Sequence, residues 1–389
     1  MEIYWFVLSY MILGRIFAKR HKKIYVVSCF VLLILVAGLR NYSIGIDLER
    51  HYARNFSIIA NTDWKNLSKF TYVGGYDMGF VVFCKFISYL SSDPQCLIMI
   101  SSIITFGLIG RYIYLYSDDV ALETFLFFSS MIYFMYLNIV AQALAIAIVV
   151  LGLDRLVKKQ YLRFILWVVL ASTMHSSAIV CVLFVPLSIL PLKRKYVFRY
   201  IILVIVAMLG FEQVINYVFT HVFTNFSYYL TNSSYIDGRG VSLSKFNLFQ
   251  ILFTVMCVVI PYVCLYHGRE TINSYQVERW KLKKYKGILK LKKEIMELSY
   301  LNNNFYMYVA ITGIVCRVLI TKMVIMERVG YYFYFMGFSI LCRATESIEN
   351  KGNKRIILTC IYIFMFFFFK LFGKSAGEQS YGVVPYKFL

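Results

Sequence analysis

Ile24-Tyr25-Val26-Val27-Ser28-Cys29-Phe30-Val31-Leu32-Leu33-Ile34-Leu35-Val36-Ala37-Gly38-Leu39 runs without a charge into Arg40-Asn41-Tyr42-Ser43-Ile44-Gly45-Ile46-Asp47. An apolar run of this kind reads as a membrane span. The arginine and aspartate that follow, separated by a glycine-bearing turn, then stand at the edge of a bilayer. Charge at that depth is expensive, so it points to function.

The same reading extends along the chain. Of 389 residues 60% are apolar and 18% aromatic, and the mean hydropathy is +0.66. About half apolar is usual for soluble domains. Apolar segments recur at 3–16, 24–39, 76–90, 96–115, 121–137, 139–153, 161–174, 177–190, 197–219, 246–266, 304–321, 329–342 and 356–372. These are too many to be core helices of a soluble protein. The expected fold is all-α, a polytopic integral membrane helical bundle with about 12 transmembrane helices, forming a single transmembrane domain over 1–389.

The net charge of +21 sits in short connecting segments: Arg15–Lys23, Lys158–Arg163, Lys193–Arg199, Arg269–Lys293 and Lys351–Arg355. That is the positive-inside pattern, which marks them as cytoplasmic and removes any need for a nucleic-acid partner. Residues 269–293 hold nine Lys/Arg against Glu270 and Glu278, so the basic cytoplasmic loop 267–300 is expected to lie at the lipid headgroups. The cysteines lie in or beside apolar segments with no CxxC pair, which disfavours disulfides and zinc. The first apolar segment precedes its basic cluster, the wrong polarity for a cleavable signal peptide.

Two hydrophilic segments, 40–75 and 220–245, are expected to be external loops. The first carries Tyr42, Tyr52, Trp64 and Tyr72; the second carries Tyr228, Tyr229, Tyr235 and Arg239. Each ring reads equally well as an interfacial belt or as a surface on which sugar C–H faces stack. The crossings between 40–75 outside and Lys158 inside must be odd in number, yet four segments intervene. Segment 76–90 is the suspect for a re-entrant piece, being short and carrying Lys85. With that adjustment both chain ends fall outside, and Arg40, Asp47, Asp77, Gln142, His175, Arg239 and Arg328 fall on one side.

Each of these has a plain structural reading beside a chemical one. His175, in Ser172-Thr173-Met174-His175-Ser176-Ser177, is a hydrogen-bonded turn residue, a phosphate ligand, or a general base oriented by neighbouring hydroxyls. Asp77 is a helix cap, a sugar ligand or a base, and Asp47 has the same readings. Gln142 opens a small-residue face, Ala143-Leu144-Ala145, that suits close helix packing. Arg328 either snorkels or offers a guanidinium fork, as do Arg40 and Arg239, and forks suit a diphosphate. Glu327 is an alternative neutralising partner for Arg328. No Walker, GxGxxG, HExxH or nucleophile-elbow motif is present. Carboxylates at ligand spacing are missing outside, so neither a metal nor another cofactor is expected.

Seven short pieces carry a resemblance: Gly38-Leu39-Arg40 through Gly45-Ile46-Asp47 and Tyr52; Tyr76-Asp77-Met78-Gly79-Phe80; Gln142-Ala143-Leu144-Ala145; Arg155-Leu156-Val157-Lys158-Lys159; His175-Ser176-Ser177-Ala178; Glu327-Arg328; and Pro385-Tyr386. In order and spacing they resemble the Wzy-type bacterial polysaccharide polymerases of O-antigen and capsule synthesis, specifically the EpsG-like branch. Two positions depart from the pattern. The family usually has Arg-Gln where this chain has Ala141-Gln142, one phosphate-binding cation fewer. It usually has Glu where this chain has Asp77, which keeps the carboxylate and shortens its reach.

The resemblance implies a membrane glycosyltransferase that polymerises polyprenyl-diphosphate-linked oligosaccharide units on the outer face of the bacterial cytoplasmic membrane. Its partners would be the lipid-linked substrate, the bilayer, and a chain-length regulator and flippase. Charge builds on the leaving diphosphate, so preorganised arginines are the expected main catalytic contribution. Arg40 and Arg328 lead that assignment and Arg239 is third, with Asp47, Tyr52 and Gln142 as substrate contacts. His175 or Asp77 would be the base. A lipid-linked oligosaccharide flippase or other transporter is the first rival, opposed by one-sided charge and by the lack of an internal repeat. A glycan acyltransferase and a glycan ligase are the others.

Overall fold

The computed structural model describes residues 1–73, 75–190, 198–203, 245–266, 302–320, 325–379 and 381–389, with a few single positions between 206 and 221. The expected external loop 220–245 with Arg239 and the basic loop 267–300 lie essentially outside these residues. In chain order the helices are α1 (Glu2–Ala18), α2 (Lys22–Gly38), α3 (Arg54–Ala60), α4 (Lys69–Val73), α5 (Met78–Ser88), α6 (Pro94–Tyr116), α7 (Val120–Ser129), α8 (Ile132–Asn138), α9 (Val140–Val157), α10 (Tyr161–Met174), α11 (Phe184–Ile189), α12 (Lys245–Tyr266), α13 (Asn302–Leu319), α14 (Ile325–Tyr334), α15 (Gly337–Ser347) and α16 (Lys351–Gln379). A π-helical turn (Leu48–Ala53) precedes α3, and a 3-10 turn (Ser176–Leu183) follows α10. Among the described residues the one extended pairing is an isolated antiparallel bridge between Arg40 and Phe388.

The chain divides into two compact units, Met1–Val182 with Gly352–Leu389, and Leu183–Lys351. Helix starts in the first unit follow from local sequence. Asp93 caps α6, its carboxylate accepting from Gln95 N at 2.9 Å, with Pro94 in the first turn where no donor is needed. Asp119 caps α7 through Ala121 N and Leu122 N. Met131 takes a left-handed φ of 70°, and there the apolar run 120–138 bends by 56° into α7 and α8.

Side-chain contacts define two ends of this unit. At one end, Arg15 reaches Asp119 at 2.8 Å, Lys22 donates to Ser117 O at 3.1 Å, and Arg111 pairs with Asp154 at 2.6 Å. At the other, Gln95 Nε2 donates to Gly38 O and Arg40 O, and Arg40 donates to Leu137 O. Segment 40–93 therefore leaves and returns at the Arg40 end. Helix α5 within it has 11 residues, a rise of about 16 Å against a hydrocarbon thickness of about 30 Å. Between the 40–47 turn and Lys158 the passages are α6, the bent α7–α8 pair, and α9, an odd number. Segment 48–90 packs on this frame through a cluster that includes Leu48, Tyr52, Phe56, Phe80, Leu97, Ala141 and Leu144.

In the second unit, α13 packs against α11, α12, α14 and α15. Phe184 sits edge-on to both Phe305 and Phe333.

Among the described residues four helices (α6, α9, α12 and α16) are long and apolar enough to cross a membrane, or five with the bent α7–α8 pair. This is fewer than the dozen expected from hydropathy. Segments 3–16 and 24–39 become helices of 17 residues each, at the lower limit for spanning. Segment 177–190 divides into a 3-10 turn and the six-residue α11, and 329–342 is divided between α14 and α15. Hydropathy measures apolar length and is blind to where a helix breaks.

Candidate functional site

The Arg40–Asp47 turn is built by long-range main-chain pairing. Gly45, at φ 112°, donates to Gly382 O at 2.8 Å, Ile46 N donates to Tyr381 O at 3.2 Å, and Asn41 N donates to Lys387 O at 3.0 Å. That φ is open to glycine at little cost, which explains Gly45 between two branched residues. On its other side the turn docks on the break between α8 and α9. There Asn138 Oδ1 accepts from Asp47 N at 2.8 Å.

Arg40 is 2% exposed. Its Nη1 donates to Ala37 O at 2.9 Å and its Nη2 to Leu137 O at 2.8 Å. Those carbonyls lie in the last turns of α2 and α8, where the helix dipoles are negative, so one guanidinium serves two helix C-termini. Tyr4, Tyr133 and Tyr386 lie close around it. Tyr386 also donates to Val36 O at 2.9 Å, and Tyr4 to Val383 O at 2.9 Å.

Beside this turn stands a second group. Asp77 stands at the N-cap position of α5, but its side chain makes no cap hydrogen bond there; its Oδ2 accepts instead from Ser176 N at 2.7 Å, joining positions 99 residues apart. Burial raises the Asp77 carboxyl above the ordinary aspartate range, and hydrogen bonds from the Ser176 main chain and hydroxyl partly offset this. His175 ends α10 in an extended conformation, with its Nδ1 at 2.7 Å from Ser177 Oγ. The approach of α5 to α10 needs a glycine, because a Cβ at Gly79 would lie 2.6 Å from Thr173 O. Tyr76 accepts from Asn55 Nδ2 at 3.1 Å, and its ring meets Tyr52 at 5.7 Å and Phe80 at 5.6 Å. Burial first, and the Asp47 charge among lesser causes, push the Tyr76 phenol up to about 12. A half-buried wall thus carries two carboxylates, an imidazole, a phenol and an amide, with Tyr52 and Phe80 as its apolar floor. Such a wall can take up hydroxyls and accept a proton.

Arg40, Asp47, Tyr52, Asp77, Gln142 and His175 therefore belong to one unit and one end of it. Gln142 is fully buried in the first turn of α9, and Ala141 beside it lies in the apolar cluster. Arg328 is exposed on α14 of the second unit. Glu327 faces Arg317, at 3.5 Å, and Arg317 also stacks on Tyr334 at 4.0 Å. Arg239 lies outside the described residues. Among the described residues, no group of three or more His, Cys, Asp and Glu side chains is arranged to hold a metal.

Sequence reasoning passed over Asn138 and Asn55, which are polar residues next to helix breaks, and read Ser176 as a hydroxyl for His175 and not as the main-chain donor to Asp77. It also passed over Arg317 and Arg343, which lie in or beside apolar segments. Arg343 is buried, donating to Asn303 Oδ1 at 2.8 Å over the Tyr306 ring. A cation within an apolar helix was the available signal for both.

No curated protein and no solved structure matches the chain. The family model described as the EpsG family matches residues 23–388, nearly the whole chain, and the chain belongs to that family, which is associated with polysaccharide biosynthesis in membranes.

Proposed function

We propose that this protein is the polymerising glycosyltransferase of a surface polysaccharide. It transfers a growing glycan from its polyprenyl diphosphate to a hydroxyl of another lipid-linked repeat unit, on the outer face of the bacterial cytoplasmic membrane. The observation that carries the reading is the pairing of Asp77 with the His175–Ser177 turn at the Arg40 end of the first unit. The basic segments Arg15–Lys23 and Lys158–Arg163 belong to the opposite end and read as cytoplasmic.

In this reading the acceptor hydroxyl oxygen attacks the anomeric carbon of the donor sugar, and its proton passes to the Asp77 carboxylate. The bond from that carbon to the diphosphate breaks, and the lipid diphosphate leaves with the electron pair. A carboxyl raised by burial is better matched to this proton than an ordinary aspartate. His175 positions the acceptor, and Asp47 and Tyr52 contribute sugar contacts. Gln142, buried in α9, supports the wall. Arg40 already donates to two helix ends, so the diphosphate role rests on the other arginines assigned to it from sequence alone, Arg328 and Arg239. The departing anion needs positive charge to stabilise it, and in this reading arginines supply that charge in place of a metal ion.

Deleting the gene and resolving the glycan ladder tests this. A polymerase mutant accumulates single repeat units on their lipid at the outer face, and a flippase mutant traps them inside. A ladder of unchanged length overturns the proposal. Asp77→Asn is expected to abolish polymerisation by purified protein in proteoliposomes. In wild type, activity is expected to rise with pH through a value above the ordinary aspartate range, because catalysis needs the deprotonated form. Stability has the opposite sign. With the folded pKa raised, the favourable contribution is present at low pH and is lost as the pH rises through the folded value.

A further inference from the structure

Segment 48–90 presents one outward edge of large exposed apolar side chains. Trp64, Phe86, Tyr89 and Leu90 are 45%, 61%, 66% and 75% exposed. They come from two separate stretches and are knitted together. Trp64 Nε1 donates to Tyr89 Oη at 2.8 Å, and the Trp64 and Phe86 rings meet edge-on at 5.5 Å. Behind them Lys85 is buried, its Nζ donating to Ala60 O at 2.8 Å at the end of α3 and lying over the Tyr89 ring. The edge is therefore a fixed surface.

We propose that this edge is a membrane-interface anchor that seats the non-spanning segment 48–90 at the boundary between headgroups and acyl chains, in the leaflet at the Arg40 end. Three observations select lipid as the occupant. Helix α5 packs on α6 and α10, whose side chains Ile103, Val169 and Leu170 are exposed and apolar, so this part of the unit presents a surface suited to acyl chains. The Tyr89 oxygen accepts the indole N–H, which lowers the cost of placing the Trp64 ring out of water and leaves the Tyr89 O–H for the headgroups. Asp63 and Lys65, both exposed, flank Trp64 and bar it from the bilayer centre. A charge there costs about 2.5–3.5 kcal/mol on insertion scales. Apolar rings with charged neighbours are stable together only at the interface, where tryptophan and tyrosine concentrate.

The test follows the fluorescence of Trp64. Replacing Trp5, Trp167 and Trp280 by Phe leaves it as the sole indole. The protein is then reconstituted in phosphatidylcholine vesicles brominated either near the headgroup or near the chain end. The expected result is loss of emission that is larger with the shallow bromines, together with weak quenching by aqueous iodide. Stronger quenching by the deep bromines overturns the proposal. So does emission untouched by either lipid, which would mean water or a protein partner covers the edge. If the triple variant does not fold, the difference in quenching between the native protein and Trp64→Phe gives the same decision.

Discussion

At the scale of single residues, Arg40 shows how position decides the work of a charge. A guanidinium at the end of an apolar run is equally suited to a diphosphate and to helix carbonyls. Its two Nη donors meet Ala37 O and Leu137 O, so its removal strands two buried acceptors. Each is expected to cost about 1–3 kcal/mol. Arg40→Gln is therefore expected to lower the unfolding temperature of the detergent-purified protein, and activity measured well below that temperature should survive in part. Full stability with complete loss of activity would instead return Arg40 to the diphosphate. Asp77 shows the converse. As a helix cap it looked ordinary, and only the 99-residue link to Ser176 brings it beside an imidazole. Neither fact was legible locally, because hydropathy places a residue along the membrane normal and says nothing of its neighbours within the plane.

Among the elements, α5 lies in segment 76–90, the one suspected from sequence of being re-entrant. Its composition is that of a span, with its shortness and Lys85 as the warnings, and its 11 residues give about half the needed length. What fixes it is the seam with α10 at Gly79 and Thr173. Gly79→Ala is expected to force α5 from α10 at a cost of about 1–3 kcal/mol. It would also pull Asp77 away from Ser176, so activity should fall further than stability. Equal activity in Gly79→Ala and wild type, assayed in proteoliposomes, would show that the seam does not govern the site. The parity of crossings could be suspected from sequence because charge placement in loops is strong. The sequence already pointed to 76–90 as the odd segment, and the structure adds the 11-residue length of α5 and the return of Gln95 to Gly38 and Arg40.

For the molecule as a whole, the first unit is closed by its own distant ends. Residues 381–389 lie along the 39–46 turn, and Tyr4 donates to Val383. Removing 381–389 is expected to leave insertion into the membrane intact, since α16 keeps its apolar length. It should expose the Arg40 turn to proteolysis and abolish polymerisation. Unchanged protection of residues 39–47 in limited proteolysis would count against the strap.

The sequence by itself determined that the chain is helical and belongs in a membrane, which segments are basic, and which short motifs place it in its family. Those properties are sums over local composition, and local composition is what a bilayer reads. The tertiary structure decided that α5 is only 11 residues long, that Asp77 and the His175 turn meet, and that Arg40 serves two helix ends. Such contacts join residues tens to hundreds of positions apart, and a side chain's partner within the membrane plane is set by packing, which no hydropathy pattern encodes.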